Sequence, residues 1–241
     1  MYYFGCSGWY YWHWSGRFYP AELKPYEWLE HYAKNFNTVE VNSTFYHPVK
    51  RSMLLGWKRR VGRGFVFTLK ADRRITHVHK FKGTEGLISS FVENADVLDK
   101  NLGCILFQLP PSAKKNEEML GRIVKQIGGI KKAVLEFRHK SWYCNETYKA
   151  LRDAGITMCI ASAPEELGLP EEIVLTSEDA YIRFHGKGRW YSYDYSEEEL
   201  RRWADEIKKC GARNVYAYFN NDSNAYAVKN CKRLLKLVGQ R

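Results

Sequence analysis

The 241-residue chain has no run of about eighteen apolar residues, so no membrane-spanning helix is expected. It has no Cys-x-x-Cys pair either. Cys6, Cys104, Cys144, Cys159, Cys210 and Cys231 are scattered, several inside apolar runs, and read as free thiols of a reducing compartment rather than as disulfides or a zinc site. The N-terminal stretch MYYFGCSGWYYWHW lacks the basic n-region and cleavage site of a secretory leader, and a cytoplasmic location is expected. No Pro/Gly/Ser linker or low-complexity segment divides the chain, so a single domain over residues 1–241 is expected. Acidic side chains are in deficit, 27 against 38 basic ones, for a formal charge of +11. Such a surplus favours an anionic small molecule or nucleic acid as partner and says nothing about fold. The basic residues form only short clusters, at 58–60, 131–132 and 187–189, so solvated helix faces account for part of the surplus.

What is present is a repeated alternation. Short apolar stretches at residues 2–6, 38–42, 65–70, 103–109, 133–138, 156–161, 180–185 and 214–219 read as strands. Amphipathic patterns such as YEWLEHYAKNF, LISSFVENADVLDKN, EEMLGRIVKQIGG and SEEELRRWADEIKKCG lie between them. The last opens with Ser196 and Glu199 in capping-box spacing and closes at Gly211. Strands alternating with helices pair in parallel through right-handed crossovers, and eight of them in this length suit an α/β fold of the TIM-like (β/α)8 barrel type. An open doubly wound sheet is the alternative, but GCSGWYYWHWSG after the first strand is no G-x-G-x-x-G turn.

The strands share an oddity. Side chains alternate between barrel interior and helix layer. With the bulkier apolar set facing the helices, the inward set comprises Glu40 and Asn42, Lys70, Gln108, Glu136 and Arg138, and Arg183 and His185. The last strand offers Tyr218, Asn220 and Asp222 in one register, or Asn221 in the other. These polar residues gather toward the C-terminal strand ends, where barrel enzymes keep their sites. The competing reading is structural: the charges neutralise one another as a plug of buried ion pairs. A ligand site is preferred because apolar packing serves stability as well as buried ion pairs do.

The fragments GCSGWYYWHWSGRFYP, TVEVNSTFYHPV, FTLKADRRITH, ILFQLPPS, LEFRHKSW, YIRFHG and YAYFNNDSNAYAVKN, in that order, resemble the YecE-like family, a domain of unknown function. The resemblance runs from Gly5 to Asn230 and implies a TIM-barrel-like fold without supplying a reaction. One departure is Ser162, near where relatives often carry an aspartate after the sixth strand.

The ring is mildly positive, and guanidinium groups grip phosphate or carboxylate oxygens in forked pairs. The expected ligand is therefore anionic and phosphate-containing. In a hydrolase or lyase, Glu40 or Glu136 would be the base and His185 the acid, with Lys70, Arg138 and Arg183 stabilising developing charge. Asn42, Gln108, Asn220, Asp222 and His77 would complete the binding set, and Trp9 and Trp142 would stack on a base or sugar. A divalent ion would recruit Glu40, Glu136 and His185, but no H-x-H or H-E-x-x-H spacing supports one and nearby cations oppose it, so no metal ligands are assigned. A glycosidase pair of Glu40 and Glu136 is a further alternative, weakened because adjacent cations would keep both ionised. A non-catalytic binder of nucleic acid or a phosphometabolite needs the same cations without an acid or base.

Overall fold

The computed structural model describes residues 1–239. Its strands are β1 (Tyr2–Cys6), β2 (Thr38–Val41), β3 (Val66–Lys70), β4 (Leu102–Gln108), β5 (Ala133–Glu136), β6 (Thr157–Ser162), β7 (Asp179–Phe184) and β8 (Asn214–Phe219). They form one sheet in the order β1-β8-β7-β6-β5-β4-β3-β2, and every ladder is parallel. This is the expected barrel. Helices α1 (Trp28–Ala33), α2 (Ser43–Tyr46), α3 (Arg51–Lys58), α4 (Glu85–Ala95), α5 (Glu117–Ile127), α6 (Asn145–Asp153), α7 (Glu197–Lys209) and α8 (Tyr226–Leu237) connect the strands. The anticipated capping box is present at α7: Ser196 accepts from the Glu199 N–H, and the Glu199 carboxylate accepts from the Ser196 N–H. Among the described residues no helix is long and apolar enough to cross a membrane.

The β1–β2 seam is closed by side chains. The Tyr32 hydroxyl accepts from the Cys6 N–H at 2.7 Å and donates to the Thr38 carbonyl at 3.0 Å, standing in for a ladder bond. Asn37 adds a bond to the Tyr2 carbonyl at 2.9 Å. Gly5 permits this approach, since a Cβ there would lie 2.1 Å from the Thr38 carbonyl oxygen. Tyr32→Phe should therefore cost about 1–3 kcal/mol, because two buried backbone groups lose their common partner; the urea unfolding midpoint measures it.

Two apolar regions flank the sheet. Phe67, Leu69, Leu135, Phe137, Ile182 and Phe184 pack outward under the helices. Inside, Tyr3 stacks on Tyr216 at 4.8 Å, and Cys104, Leu106, Val134, Cys159, Tyr181 and Tyr218 fill the lower barrel. Above them runs a directed chain of hydroxyls. The Cys104 N–H donates to Thr68, Thr68 to Tyr218, Tyr218 to Thr38, and Thr38 to the Val66 carbonyl. Only this direction gives each hydroxyl one donation, because Thr68 receives from an N–H and Thr38 gives to a carbonyl. The polar chain is thus satisfied and forms a fixed platform beneath the charged layer.

Candidate functional site

The charged layer sits at the C-terminal end of the barrel. Arg183, on β7, is its hub. Its Nε and Nη2 grip Glu40 of β2, with Nη2 to Oε1 at 2.7 Å and Nε to Oε2 at 2.9 Å, while Nη1 reaches Glu136 Oε2 at 2.5 Å. The Tyr181 hydroxyl donates to Glu40 Oε2 at 2.5 Å. Arg138, two residues beyond β5, holds the other side of Glu136: its Nε lies 2.6 Å from Oε1, an ion contact off the hydrogen-bond angle. Burial alone would raise the Glu136 carboxyl, but Arg138 and Arg183 outweigh it and hold the group well below the ordinary carboxylate range. Burial likewise disfavours the Arg183 charge, and Glu136 and Glu40 more than restore it.

His185 Nε2 stands between opposite demands: Arg138 Nη2, which can only donate, lies 2.8 Å from it, and Glu136 Oε1, which can only accept, lies 3.3 Å from it. Asn220 Nδ2 lies 3.1 Å from Nδ1. Burial, with Arg138 and Arg183 adding to it and Glu136 opposing, pushes His185 well below its ordinary value, which favours the neutral ring.

Above the hub opens a cavity of about 250 Å³, lined by Asn42, Tyr46, Lys70, Gln108, Arg138, Arg183, Tyr191, Asn220 and Asp222. Arg183 forms its floor. Lys70, at the end of β3, donates to Gln108 Oε1 at 2.7 Å and lies 4.3 Å above the Phe45 ring; no carboxylate pairs with it among the described residues. Burial, and Arg183 next, lower Lys70 to about 7. A lysine whose charge is disfavoured by the fold destabilises it below that value, and the penalty fades as pH rises toward the unfolded-state pKa. Lys70→Met is therefore expected to raise stability at pH 6 and to lose most of that gain by pH 9, read from urea midpoints at both pH values.

Asp222 is the one carboxylate on the cavity wall. Burial raises its carboxyl, against the influence of a backbone hydrogen bond and of His13. The β1 loop fixes its position. His13 Nε2 donates to the Asp222 carbonyl at 2.8 Å and lies 3.4 Å from Oδ2, and Trp14 Nε1 donates to the same carbonyl at 3.3 Å. Asn224 and Ala225, both at positive φ, turn the chain sharply behind Asp222, and Arg17 Nη1 bonds Asn224 at 2.6 Å. The β7 loop covers the opposite side. Gly186, at φ 97°, lets it fold back, since a Cβ would meet the Tyr193 Cβ at 2.5 Å. Trp190 then lies over the Arg138 guanidinium at 4.7 Å and against His185 at 5.3 Å.

Several sequence expectations are corrected here. Glu40, Glu136 and His185 are fully buried and engaged by arginines, and none of them lines the cavity. Arg138 and Arg183 take the carboxylates because desolvated opposite charges pair. Trp142 is buried on the helix side, stacked on Phe137 at 4.6 Å with its Nε1 donating to the Ala113 carbonyl. Trp9 packs against Trp57 at 5.1 Å and the outward-facing Phe67. His77 stays one layer back, edge-on to Phe45; burial, Lys70 and neighbouring arginines lower it to about 4. Asn42, Lys70, Gln108, Arg138, Arg183, Asn220 and Asp222 do come together on the wall. Tyr191 and Trp190 were not anticipated, although KGRWYSY directly after YIRFHG was a signal. Of the three side chains considered for a metal, the two glutamates have the Arg183 guanidinium between them, and His185 Nε2 lies 2.8 Å from Arg138 Nη2 and 3.3 Å from Glu136 Oε1. Ser162 donates to Glu171 Oε1 at 2.7 Å and accepts from Tyr195 at 2.9 Å.

The chain is similar to known proteins over its full length. The Bacillus subtilis UPF0759 protein YunF is 28% identical, across 99% of this chain and 95% of its own. A DUF72 family protein from Thermotoga maritima shares 29% of residues, covers both chains completely and superposes with a TM-score of 0.91. D-psicose 3-epimerase from Clostridium cellulolyticum, at 10% identity, 98% coverage of both chains and a TM-score of 0.61, shares the fold alone. The family model described as "Protein of unknown function DUF72" matches residues 3–241, and the chain belongs to that family.

Proposed function

We propose that this chain binds a compact, phosphate-bearing anion at the C-terminal mouth of the barrel and acts on it by acid–base chemistry of the phosphoester hydrolase or lyase type. The observation that carries the proposal is the shared cavity wall of Lys70, Arg138 and Arg183, with the neutralising glutamates placed underneath. Glu40 and Glu136 hold the arginines rigid from below, so their guanidinium edges need no reordering when an anion arrives. Arg183 keeps one hydrogen on each Nη outside its carboxylate bonds, and Arg138 Nη1 is uncommitted within the network. Asp222 takes the base role first expected of the glutamates, because it faces the cavity and its carboxyl is raised. Asn42 lines the cavity, and its buried Oδ1 has no hydrogen-bond partner among the described residues. The small volume favours a compact molecule or the phosphoester end of a larger one.

A second reading has the phosphate belong to a polynucleotide. Tyr46 and Tyr191, both lining the mouth, are 64% and 48% exposed and present rings on which bases would stack. Calorimetric titration with inorganic phosphate, a triose phosphate and single-stranded oligonucleotide tests both. Binding of phosphate or triose phosphate tighter than about 1 mM is expected. Steeply salt-dependent binding confined to the oligonucleotide supports the second reading. The absence of binding in all three titrations sinks the anion site.

A further inference from the structure

We propose that Lys70 is a nucleophile that forms an imine with a carbonyl-bearing phosphoester or related anion held by Arg138 and Arg183. This inference rests on the anion site above and assigns its substrate class. Its basis is placement. Lys70 Nζ lies on the cavity wall beside two arginines, yet its one side-chain hydrogen bond among the described residues is to a neutral amide oxygen, Gln108 Oε1 at 2.7 Å. Most lysines at buried positions are paired with a carboxylate. Here both nearby carboxylates are taken by Arg183 and Arg138, and Phe45 underlies the ammonium at 4.3 Å. An amine desolvated against a ring and placed beside other cations is the arrangement that yields free, nucleophilic amine at neutral pH. The lowering of Lys70 to about 7 agrees with that placement. An ordinary lysine near pKa 10.4 is unprotonated at pH 7 in about one molecule in 2,500, so a lysine near 7 presents on the order of a thousandfold more free amine.

The step balances without a redox partner. The Nζ lone pair attacks the carbonyl carbon, the C–O π bond opens, and proton transfer from nitrogen to oxygen gives a carbinolamine. Its hydroxyl then leaves with the second Nζ proton as water, and the C=N bond forms. Asp222, the carboxylate on the same cavity wall, is the group assigned to shuttle these protons. The imine withdraws electrons from the adjacent carbon, which is what cleavage or proton abstraction next to a carbonyl requires.

The test is reductive trapping on the full chain. Glyceraldehyde 3-phosphate is offered at pH 7 with cyanoborohydride, which supplies the hydride, and glyceraldehyde serves as the probe lacking phosphate. The adducted residue is located by peptide mass spectrometry. A single reduced triose-phosphate adduct on Lys70 is expected, at least tenfold faster than on any exposed lysine, suppressed by inorganic phosphate and much weaker with glyceraldehyde. Lys70→Arg, which cannot form the imine, should remove the adduct. Phosphate binding measured by calorimetry with labelling spread over surface lysines, and none preferred at Lys70, overturns the nucleophile while leaving the anion site standing. Lys70 labelled equally by both aldehydes and unprotected by phosphate overturns the link to an anionic substrate.

Discussion

Arg183→Met should lower the unfolding free energy by about 3–5 kcal/mol at pH 7, the largest stability effect expected of any single change in the barrel interior. The side chain is 1% exposed and serves two fully buried carboxylates at once. Its loss leaves Glu40 with the Tyr181 hydroxyl and Glu136 with Arg138 and the His185 ring. A second variant keeps the expectation testable if the first folds poorly: Arg183→Met combined with Glu40→Leu removes the orphaned charge and leaves the Glu136–Arg138 pair intact, so most of the loss should be recovered. The pH dependence has a definite sign. In the native chain Glu136 is held below its unfolded value, so it adds stability above that value and loses it as pH falls through the folded pKa. In the single variant an uncompensated buried carboxylate is raised instead, so acidification relieves it. The gap between the two proteins should therefore narrow from pH 7 to pH 5, as read by urea unfolding at each pH. A gap that widens would mean the carboxylates are not buried against Arg183.

Arg138→Gln is expected to weaken phosphate or phosphoester binding about 10–150-fold, the equivalent of about 1.5–3 kcal/mol for one charge-assisted hydrogen bond. The fold should survive, because Glu136 keeps its 2.5 Å contact with Arg183. The same substitution removes the donor at His185 Nε2 and one of the charges that lower the ring's pKa. The His185 titration, followed by NMR, should then move up toward its ordinary value. Loss of affinity without movement of that titration would show that Arg138 does not face His185 as described. Retained affinity would place the anion elsewhere on the wall, over Lys70.

The inward polar set was legible because strands have a period of two: Glu40 with Asn42, Glu136 with Arg138 and Arg183 with His185 share parity within their own strands. Tyr181 shares the parity of Arg183 and was the available signal for the hydroxyl that binds Glu40. Parity says nothing about height or partners. Glu136 closes β5 and Arg138 follows two residues on, yet one is sealed under the hub and the other reaches the wall. The loop aromatics were the weakest part of the reading. Trp9 and Trp142 lie just past strand ends, but each found an apolar partner on the helix side, Trp57 and Phe137, and packing took precedence over display.

By itself, then, the sequence determined the eight parallel strands, the face each ionisable residue takes and the end of the barrel where they gather, because backbone periodicity and hydrophobic patterning are local properties. Only the tertiary structure decided which charges neutralise one another and which are left facing the cavity. Those pairings form between residues far apart in sequence, such as Glu40 and Arg183 or Glu136 and Arg183, and their outcome depends on ångström-scale separations and on burial that no single strand contains. Lys70 and Asp222 stand on the cavity wall because the nearby glutamates and arginines had already satisfied each other beneath them.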